Sequence, residues 1–132
     1  FPVGGILIHP RIEAEYGMLG TTFGGNHLAC AATLTVLDVM QDEELMENVK
    51  EVSEHFLAKA KEIPQIKKVK GRGLMLGLEF DFDTAAIRKK LIYDHHIFTG
   101  SAKNKNLIRI LPPLTVKKEH IDQFFDALKQ EF

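Results

Sequence analysis

Residues 20–26 read Gly-Thr-Thr-Phe-Gly-Gly-Asn and run directly into an alanine-rich segment with a helical pattern. The stretch offers two hydroxyl groups, flexible glycines and a new helix N-terminus. The first turn of a helix has unpaired backbone N–H groups and carries partial positive charge, so such a loop suits a phosphate. The same Gly-Gly-Asn sequence also serves as an ordinary helix entry without a ligand. The loop alone leaves both interpretations open.

Composition and charge limit the possible functions. The 132 residues suffice for one domain with a sizeable core, and 45% hydrophobic with 27% charged residues is typical of a folded chain. A net charge of −1 argues against a nucleic-acid partner. No apolar run reaches the ~20 residues that cross a bilayer, so no membrane partner is expected. The single cysteine, Cys30, lies in an apolar segment, so we expect a buried thiol and a reducing compartment.

The first half of the chain predicts one strand and two helices. Residues 3–8 read as a short buried strand, and residues 11–19 as a short helix or loop. Residues 26–40 are apolar on nearly all sides, so a helix there needs partners on several sides. Asp42 is expected to cap a second helix, whose apolar residues are spaced by threes and fours. The chain also opens at Phe1 without an initiator methionine, so we expect a fragment or a removed start.

The second half predicts the order strand, strand, helix, strand, strand, helix, which is typical of a small α/β sandwich. Two strands between residues 66 and 80 are expected to be joined or bent at Gly71-Arg72-Gly73, with Arg72 in a structural role. Asp83 or Thr84 is expected to cap a helix, and Thr115 to cap the last one. The remaining predicted strands are 97–99 and 107–111, and Phe124, Phe125 and Phe132 are predicted core residues.

Three motifs occur in a fixed order: residues 19–32, the glycine-rich residues 71–79, and Leu-Ile-Arg-Ile-Leu-Pro-Pro-Leu-Thr at residues 107–115. Together they closely resemble the C-terminal stretch of class III (ornithine-type) pyridoxal-phosphate aminotransferases, especially the acetylornithine-specific members. Phe1-Pro2-Val3-Gly4-Gly5 is similar to the segment that follows the cofactor-binding lysine of that family. The resemblance implies an α/β chain that forms the C-terminal part of the fold type I PLP-transferase fold. Residues 1–41 would end the large cofactor-binding domain, 42–65 would form the connecting helix, and 66–132 the small C-terminal α/β domain.

The resemblance also implies a cofactor-binding loop. Thr22 stands where the family's threonine donates its hydroxyl to the phosphate of pyridoxal 5'-phosphate, across a homodimer interface. Thr21 and Gly20 belong to the same loop. A dianionic phosphate is well served by hydroxyl and amide donors, and glycine lets the backbone come close. Leu19 replaces the family's usual histidine and His27 its usual proline, but neither position carries the phosphate hydroxyl.

Arg109 stands where the family has an arginine that receives the substrate's carboxylate. A guanidinium is planar and permanently charged, and it binds a carboxylate through two parallel hydrogen bonds. The alternative is an edge-strand arginine in a surface salt bridge. The implied substrates are small amino acids and 2-oxo acids: N-acetylornithine or a similar N-acyl ornithine as donor and 2-oxoglutarate as acceptor, in cytoplasmic arginine biosynthesis.

No catalytic or metal-binding residue is predicted within the chain. His95 and His96 are adjacent and would point to opposite faces of an extended segment, so they cannot ligate one metal together. The first lysine is Lys50, expected on the exposed side of a surface helix, and transamination needs a lysine at the cofactor. We therefore expect the chain alone to be inactive and to bind the cofactor poorly.

Alternative interpretations keep the fold and change the activity. The chain could belong to another class III enzyme, such as an ornithine or 4-aminobutyrate aminotransferase, an aminomutase or a racemase. It could also be a stand-alone, non-catalytic binding module.

Overall fold

The computed structural model describes all of residues 1–132 and divides them into two compact units, Phe1–Glu43 and Glu44–Phe132. The first unit contains helix α1 (His27–Asp42). The second contains the remaining elements in the order α2 (Leu45–Lys61), β1 (Lys68–Arg72), β2 (Met75–Glu79), α3 (Ala85–Tyr93), β3 (Leu107–Ile110) and α4 (Lys118–Lys129). None of the four helices combines the length and apolarity that crossing a bilayer requires.

Helix α1 begins where the sequence predicted, after a capping asparagine. The Asn26 side-chain Oδ1 accepts a hydrogen bond from the Ala29 backbone N–H at 2.9 Å, which pairs one of the free amides of the first turn. Only Ala29 is buried in this helix. The predicted all-round apolar surface is therefore present but uncovered, and Cys30 is exposed instead of buried. The expectation of a buried thiol was wrong because nothing packs against that side of α1.

The segment before α1 contains no strand. Residues 3–8, predicted as a buried strand, adopt no regular structure and are exposed, and residues 11–19 form turns and loop. An apolar run forms a strand only if a neighbouring strand takes its backbone hydrogen bonds. This unit offers no such neighbour.

The sheet of the second unit is antiparallel, with strand order β1-β2-β3. β1 and β2 form the hairpin that the glycines predicted, and Gly71 and Gly73 both have positive φ (111° and 55°). One face of the sheet covers the core, which also receives side chains from α2, α3 and α4. Its fully buried large side chains are Phe56, Leu78, Leu91, Ile108, Phe125 and Leu128.

Several predicted boundaries differ from the structure. Asp42 is the last residue of α1, and α2 begins after Glu44, whose backbone is left-handed (φ 51°). Thr84 precedes α3 as predicted, although the Asp83 Oδ1 accepts the Ala85 N–H at 2.8 Å. Lys117, not Thr115, precedes α4.

Two further predictions fail in the second half. Residues 97–99 form no strand, and only Gly100 makes an isolated bridge to Arg109. Phe132 lies beyond α4 and is 45% exposed, so it is not a core residue. From residue 66 onward the order is thus strand, strand, helix, strand, helix.

Candidate functional site

The predicted carboxylate-binding residue, Arg109, lies on β3 with its side chain on the open face of the sheet. Its neighbours Ile108 and Ile110 are buried in the core, so strand alternation places Arg109 on the opposite face, where it is exposed. The guanidinium makes no salt bridge within 4.0 Å to any Asp or Glu. Arg109 therefore does not form the surface salt bridge considered as the alternative. Its positive charge is available for an external anion.

Glycines flank Arg109 on both sides. Gly77 of β2 is its cross-strand partner in the register. Gly100 pairs with it on the other side: the Gly100 N–H donates to the Arg109 carbonyl at 2.8 Å, and the Arg109 N–H donates to the Gly100 carbonyl at 3.0 Å. A Cβ added at Gly100 would lie 2.8 Å from Arg109 Nε. The arginine side chain therefore rests directly on the bare backbone of Gly100.

Glu79 is the acidic residue nearest to Arg109 in the strand register on this face of the sheet, and it is hydrogen-bonded to other side chains. Glu79 is diagonal to Arg109, because the register pairs Gly77 with Arg109 and Glu79 with Leu107. Lys70 Nζ lies 2.7 Å from Glu79 Oε1, and Asn104 Nδ2 donates to the same oxygen at 3.0 Å. The hydrogen bond from Lys70 is the main cause that holds the pKa of Glu79 below its ordinary value. Glu79 thus stays ionised and bound away from Arg109.

A concave opening of about 380 Å³ lies at the end of β3. Its wall includes Thr99, Gly100, Arg109 and Pro112, with apolar side chains of α2 and α4 behind them. On the far side of Pro112, the Asn48 Nδ2 of α2 donates to the carbonyls of Leu114 (2.7 Å) and Val116 (3.0 Å). These bonds fix the chain that follows the Leu-Pro-Pro motif.

The predicted phosphate loop lies in the first unit. Gly20, Thr21 and Thr22 are all exposed, and Thr22 opens a turn that leads to the Asn26 cap of α1. Neither threonine hydroxyl has a hydrogen-bond partner within the chain, and a Cβ at Gly20 would meet nothing within 4 Å. Thr21 also lines a concavity of about 370 Å³ together with Gly4, Gly25 and Asn26. Two free hydroxyls beside a helix N-terminus are a donor set that fits a phosphate.

The other polar residues considered in the sequence analysis are exposed or contact an acidic side chain. Lys50 is exposed and bonded to Glu47 at 3.2 Å, as expected for a surface helix. Arg72 is exposed at the hairpin, and His95 Nε2 contacts Glu131 Oε1 at 2.9 Å, which ties the end of α3 to the chain after α4. No three His, Cys, Asp or Glu side chains are grouped as a metal ion would need.

Sequence reasoning missed Asn48, Lys70, Arg88 and Gly100. Their contacts join residues that are 9 to 69 positions apart along the chain, and no local pattern encodes them. Gly100 alone carried a usable signal, since it is a glycine next to a predicted strand end.

Comparison with known proteins identifies the family. The profile of the family described as "Aminotransferase class-III" matches residues 1–132. The acetylornithine aminotransferase of Methanocaldococcus jannaschii is 37% identical over 99% of this chain and 34% of its own length. The ornithine aminotransferase of Staphylococcus carnosus is 38% identical over 98% of this chain and 35% of its own length.

A solved structure agrees with both. The crystal structure of acetylornithine aminotransferase from Elizabethkingia anophelis is 28% identical, with a TM-score of 0.73, over 90% of this chain and 32% of that one. The chain spans about a third of the length of these relatives, and its α/β fold corresponds to the C-terminal part of theirs. The chain belongs to the class III aminotransferase family.

Proposed function

We propose that this chain forms the C-terminal third of an aminotransferase that moves the amino group of N-acetylornithine, or a similar N-acyl ornithine, to 2-oxoglutarate. The observation that carries the proposal is Arg109: an exposed guanidinium without an acidic partner, in the motif where the family has its carboxylate-binding arginine. Donor and acceptor of such a reaction both bear carboxylates. A role in arginine biosynthesis, a cytoplasmic location and a homodimer belong to the same proposal and come from the family resemblance.

Arg109 would bind and orient the carboxylate. Two parallel N–H···O bonds fix both the position and the plane of a carboxylate, which directs the rest of the substrate toward the reacting centre. Lys70 and Asn104 support this role because they keep Glu79 from competing for the guanidinium. Gly100 supports it by leaving room for the arginine stem.

Thr21 and Thr22, with the backbone of Gly20, would hold the phosphate of pyridoxal 5'-phosphate. The cofactor supplies an electron sink for the carbon that loses its proton. The chain's contribution is to anchor the phosphate through hydroxyl and amide donors. The family resemblance implies that Thr22 would bind the phosphate of the cofactor held by the neighbouring protomer.

The chain alone is expected to be inactive. The first unit contains no lysine that could hold the cofactor covalently, and the first lysine of the chain, Lys50, is exposed on α2 and bonded to Glu47. Mixing the purified chain with pyridoxal 5'-phosphate should give no absorbance band of a protein-bound cofactor. A stoichiometric band that borohydride makes permanent would contradict this expectation.

The decisive experiment uses the complete polypeptide, meaning this chain with the sequence encoded ahead of Phe1. We expect a lysine shortly before Phe1 and transfer of amino groups from N-acetylornithine to 2-oxoglutarate. Arg109→Gln should raise the KM for 2-oxoglutarate by about 10- to 100-fold, the worth of a charge-assisted hydrogen-bond pair of about 1.5–3 kcal/mol. Arg72→Gln, on another exposed arginine of the same sheet, is the matched control and should leave KM unchanged. An active enzyme whose KM is the same in both variants would refute the role of Arg109.

Ornithine itself is the second candidate donor, because the ornithine aminotransferase of Staphylococcus carnosus is as similar as the acetylornithine enzyme. The ratio of kcat/KM for the two donors decides between them. A non-catalytic module is the third candidate, because the core cluster lies wholly within Glu44–Phe132 and could support that unit by itself. A start codon immediately before Phe1, with no open frame upstream, would favour the module.

A further inference from the structure

Arg88 of α3 is a partly buried arginine without a carboxylate partner. Its Nη2 donates to the Thr99 carbonyl at 3.0 Å, while its Nε is buried and has no acceptor. No Asp or Glu lies within 4.0 Å of the guanidinium. Burying a cation without an anion is unfavourable. We therefore ask what the single side-chain hydrogen bond of Arg88 contributes to the structure.

That contact holds a segment with few other supports. Residues 97–99 lie outside any strand. The Ile97 N–H donates to the Leu91 carbonyl at 2.7 Å, and Gly100 pairs with Arg109, but between them the Thr99 carbonyl is held by Arg88. Arg88 therefore fixes the segment at the residue just before the Gly100–Arg109 pair.

The position of that segment decides where the Arg109 side chain can lie. A Cβ at Gly100 would be 2.8 Å from Arg109 Nε and 3.2 Å from Arg109 Cβ, so the arginine stem passes close over the α-carbon of Gly100. A shift of the Gly100 backbone must move the stem or lose the contact. The contacts thus run from Arg88 through Thr99 and Gly100 to the Arg109 guanidinium.

The geometry points to Arg88 as a positioning residue that orients Arg109 for a substrate carboxylate. This inference rests on the proposed role of Arg109. Arg88 does not touch the substrate; it fixes the backbone against which the binding residue lies. Its loss should weaken the binding of carboxylates and leave the later chemical steps unchanged.

The first test measures the contact itself, without any enzymatic reaction. In this chain, Arg88→Met keeps an apolar side chain out to about the position of Nε and removes every donor, while Arg88→Lys keeps a charged ammonium group that can still donate. The amides of Gly100 and Arg109 should exchange with solvent at least 10-fold faster in Arg88→Met and nearly as in wild type in Arg88→Lys. Lys89→Met, at the exposed next position of α3, is the control and should leave both amides protected. Unchanged protection in Arg88→Met would overturn the inference, whatever the activity of the enzyme.

The second test separates positioning from simple structural support in the complete polypeptide. Arg88→Met should raise the KM for 2-oxoglutarate about 10-fold with kcat within twofold of wild type, and Arg88→Lys should restore most of the loss. A donor amine without a carboxylate should keep its KM, since it does not use Arg109. An equal loss with both kinds of substrate, or a fall in kcat alone, would overturn the inference. A wild-type polypeptide without aminotransferase activity would instead refute the proposed function, and the exchange experiment would still decide on the contact.

Discussion

Replacing Gly100 with alanine tests whether the orientation of Arg109, and not merely its charge, determines carboxylate binding. The added Cβ would lie 2.8 Å from Arg109 Nε, 3.2 Å from its Cβ and 3.3 Å from its carbonyl oxygen. Relaxed contacts of this kind are about 3.5–4.0 Å, so Nε has to move by roughly 0.7–1.2 Å. The end of a flexible side chain can make that movement while the strand stays in place.

The movement is large on the scale of a hydrogen bond. A charge-assisted N–H···O bond of about 2.8 Å that lengthens by about 1 Å is no longer a bond. Losing one or both bonds to a carboxylate costs about 1.5–3 kcal/mol, so the KM for 2-oxoglutarate should rise by about 10- to 100-fold. Stability should fall by about 1–2 kcal/mol, because alanine suits the backbone of Gly100 but the added Cβ is tight against Arg109 Cβ and its carbonyl oxygen.

The assay is steady-state kinetics of the complete polypeptide, with thermal unfolding measured on the same samples. Ser101→Ala is the matched control: it changes the adjacent residue, which is exposed and has no side-chain hydrogen bond, and should leave both KM and the unfolding midpoint unchanged. If Gly100→Ala folds normally and its KM stays within twofold of wild type, the contact between Gly100 and the arginine stem has no role in binding.

Three further predictions concern the same unit. Gly71→Ala should destabilise the hairpin by about 3 kcal/mol or more, since at φ 111° its Cβ would overlap the Met75 carbonyl oxygen. Gly73→Ala at φ 55° should cost only about 1 kcal/mol, and urea unfolding of the two variants compares them. If Arg109 binds the carboxylate as proposed, Lys70→Met should free Glu79 to compete for Arg109 and raise the KM for 2-oxoglutarate by about 2- to 5-fold, and adding Glu79→Gln should reverse the rise. Glu131 is hydrogen-bonded by Lys90 and then His95, which lower its pKa, so the stability it contributes is present above the ordinary glutamate pKa of about 4.3 and is lost as pH falls through the lower folded value. Urea midpoints of Glu131→Gln should therefore fall below wild type at neutral pH and converge with it in acid.

The elements that could be predicted from sequence are those whose pattern is complete within the element. Helix α2 carries its own 3.6-residue pattern, with Val52, Phe56 and Ala60 buried, and the hairpin carries its own turn glycines. The predicted strand at residues 3–8 failed for the opposite reason, because a strand exists only through a partner. The same reason explains residues 97–99, where Gly100 alone finds a partner in Arg109.

The candidate site divides in the same way. Thr22 and Arg109 could be chosen from sequence because the family resemblance implies a role for each, and the structure places both on the surface. Arg88 could not be chosen from sequence, because its proposed role depends on a hydrogen bond to the Thr99 carbonyl. That carbonyl is 11 residues away along the chain and becomes a neighbour only after folding. The predictions of Asp42 and Thr115 as helix caps were wrong. Several nearby residues could cap each helix, and the packing of the chain determines where the helix begins.

What makes Arg109 available is an arrangement of its neighbours. In an antiparallel sheet, a cross-strand or diagonal acid pairs readily with an arginine, and such a pair would leave a substrate carboxylate to compete with a resident one. Here both lateral positions are glycines, Gly77 and Gly100, which can offer no charge. The one acid within diagonal reach, Glu79, is bound by Lys70 and Asn104. The Arg109 guanidinium is therefore unpaired because both lateral neighbours are glycines and the diagonal carboxylate, Glu79, already has other partners. This explains why the surface salt bridge, the ordinary fate of an edge-strand arginine, does not form here.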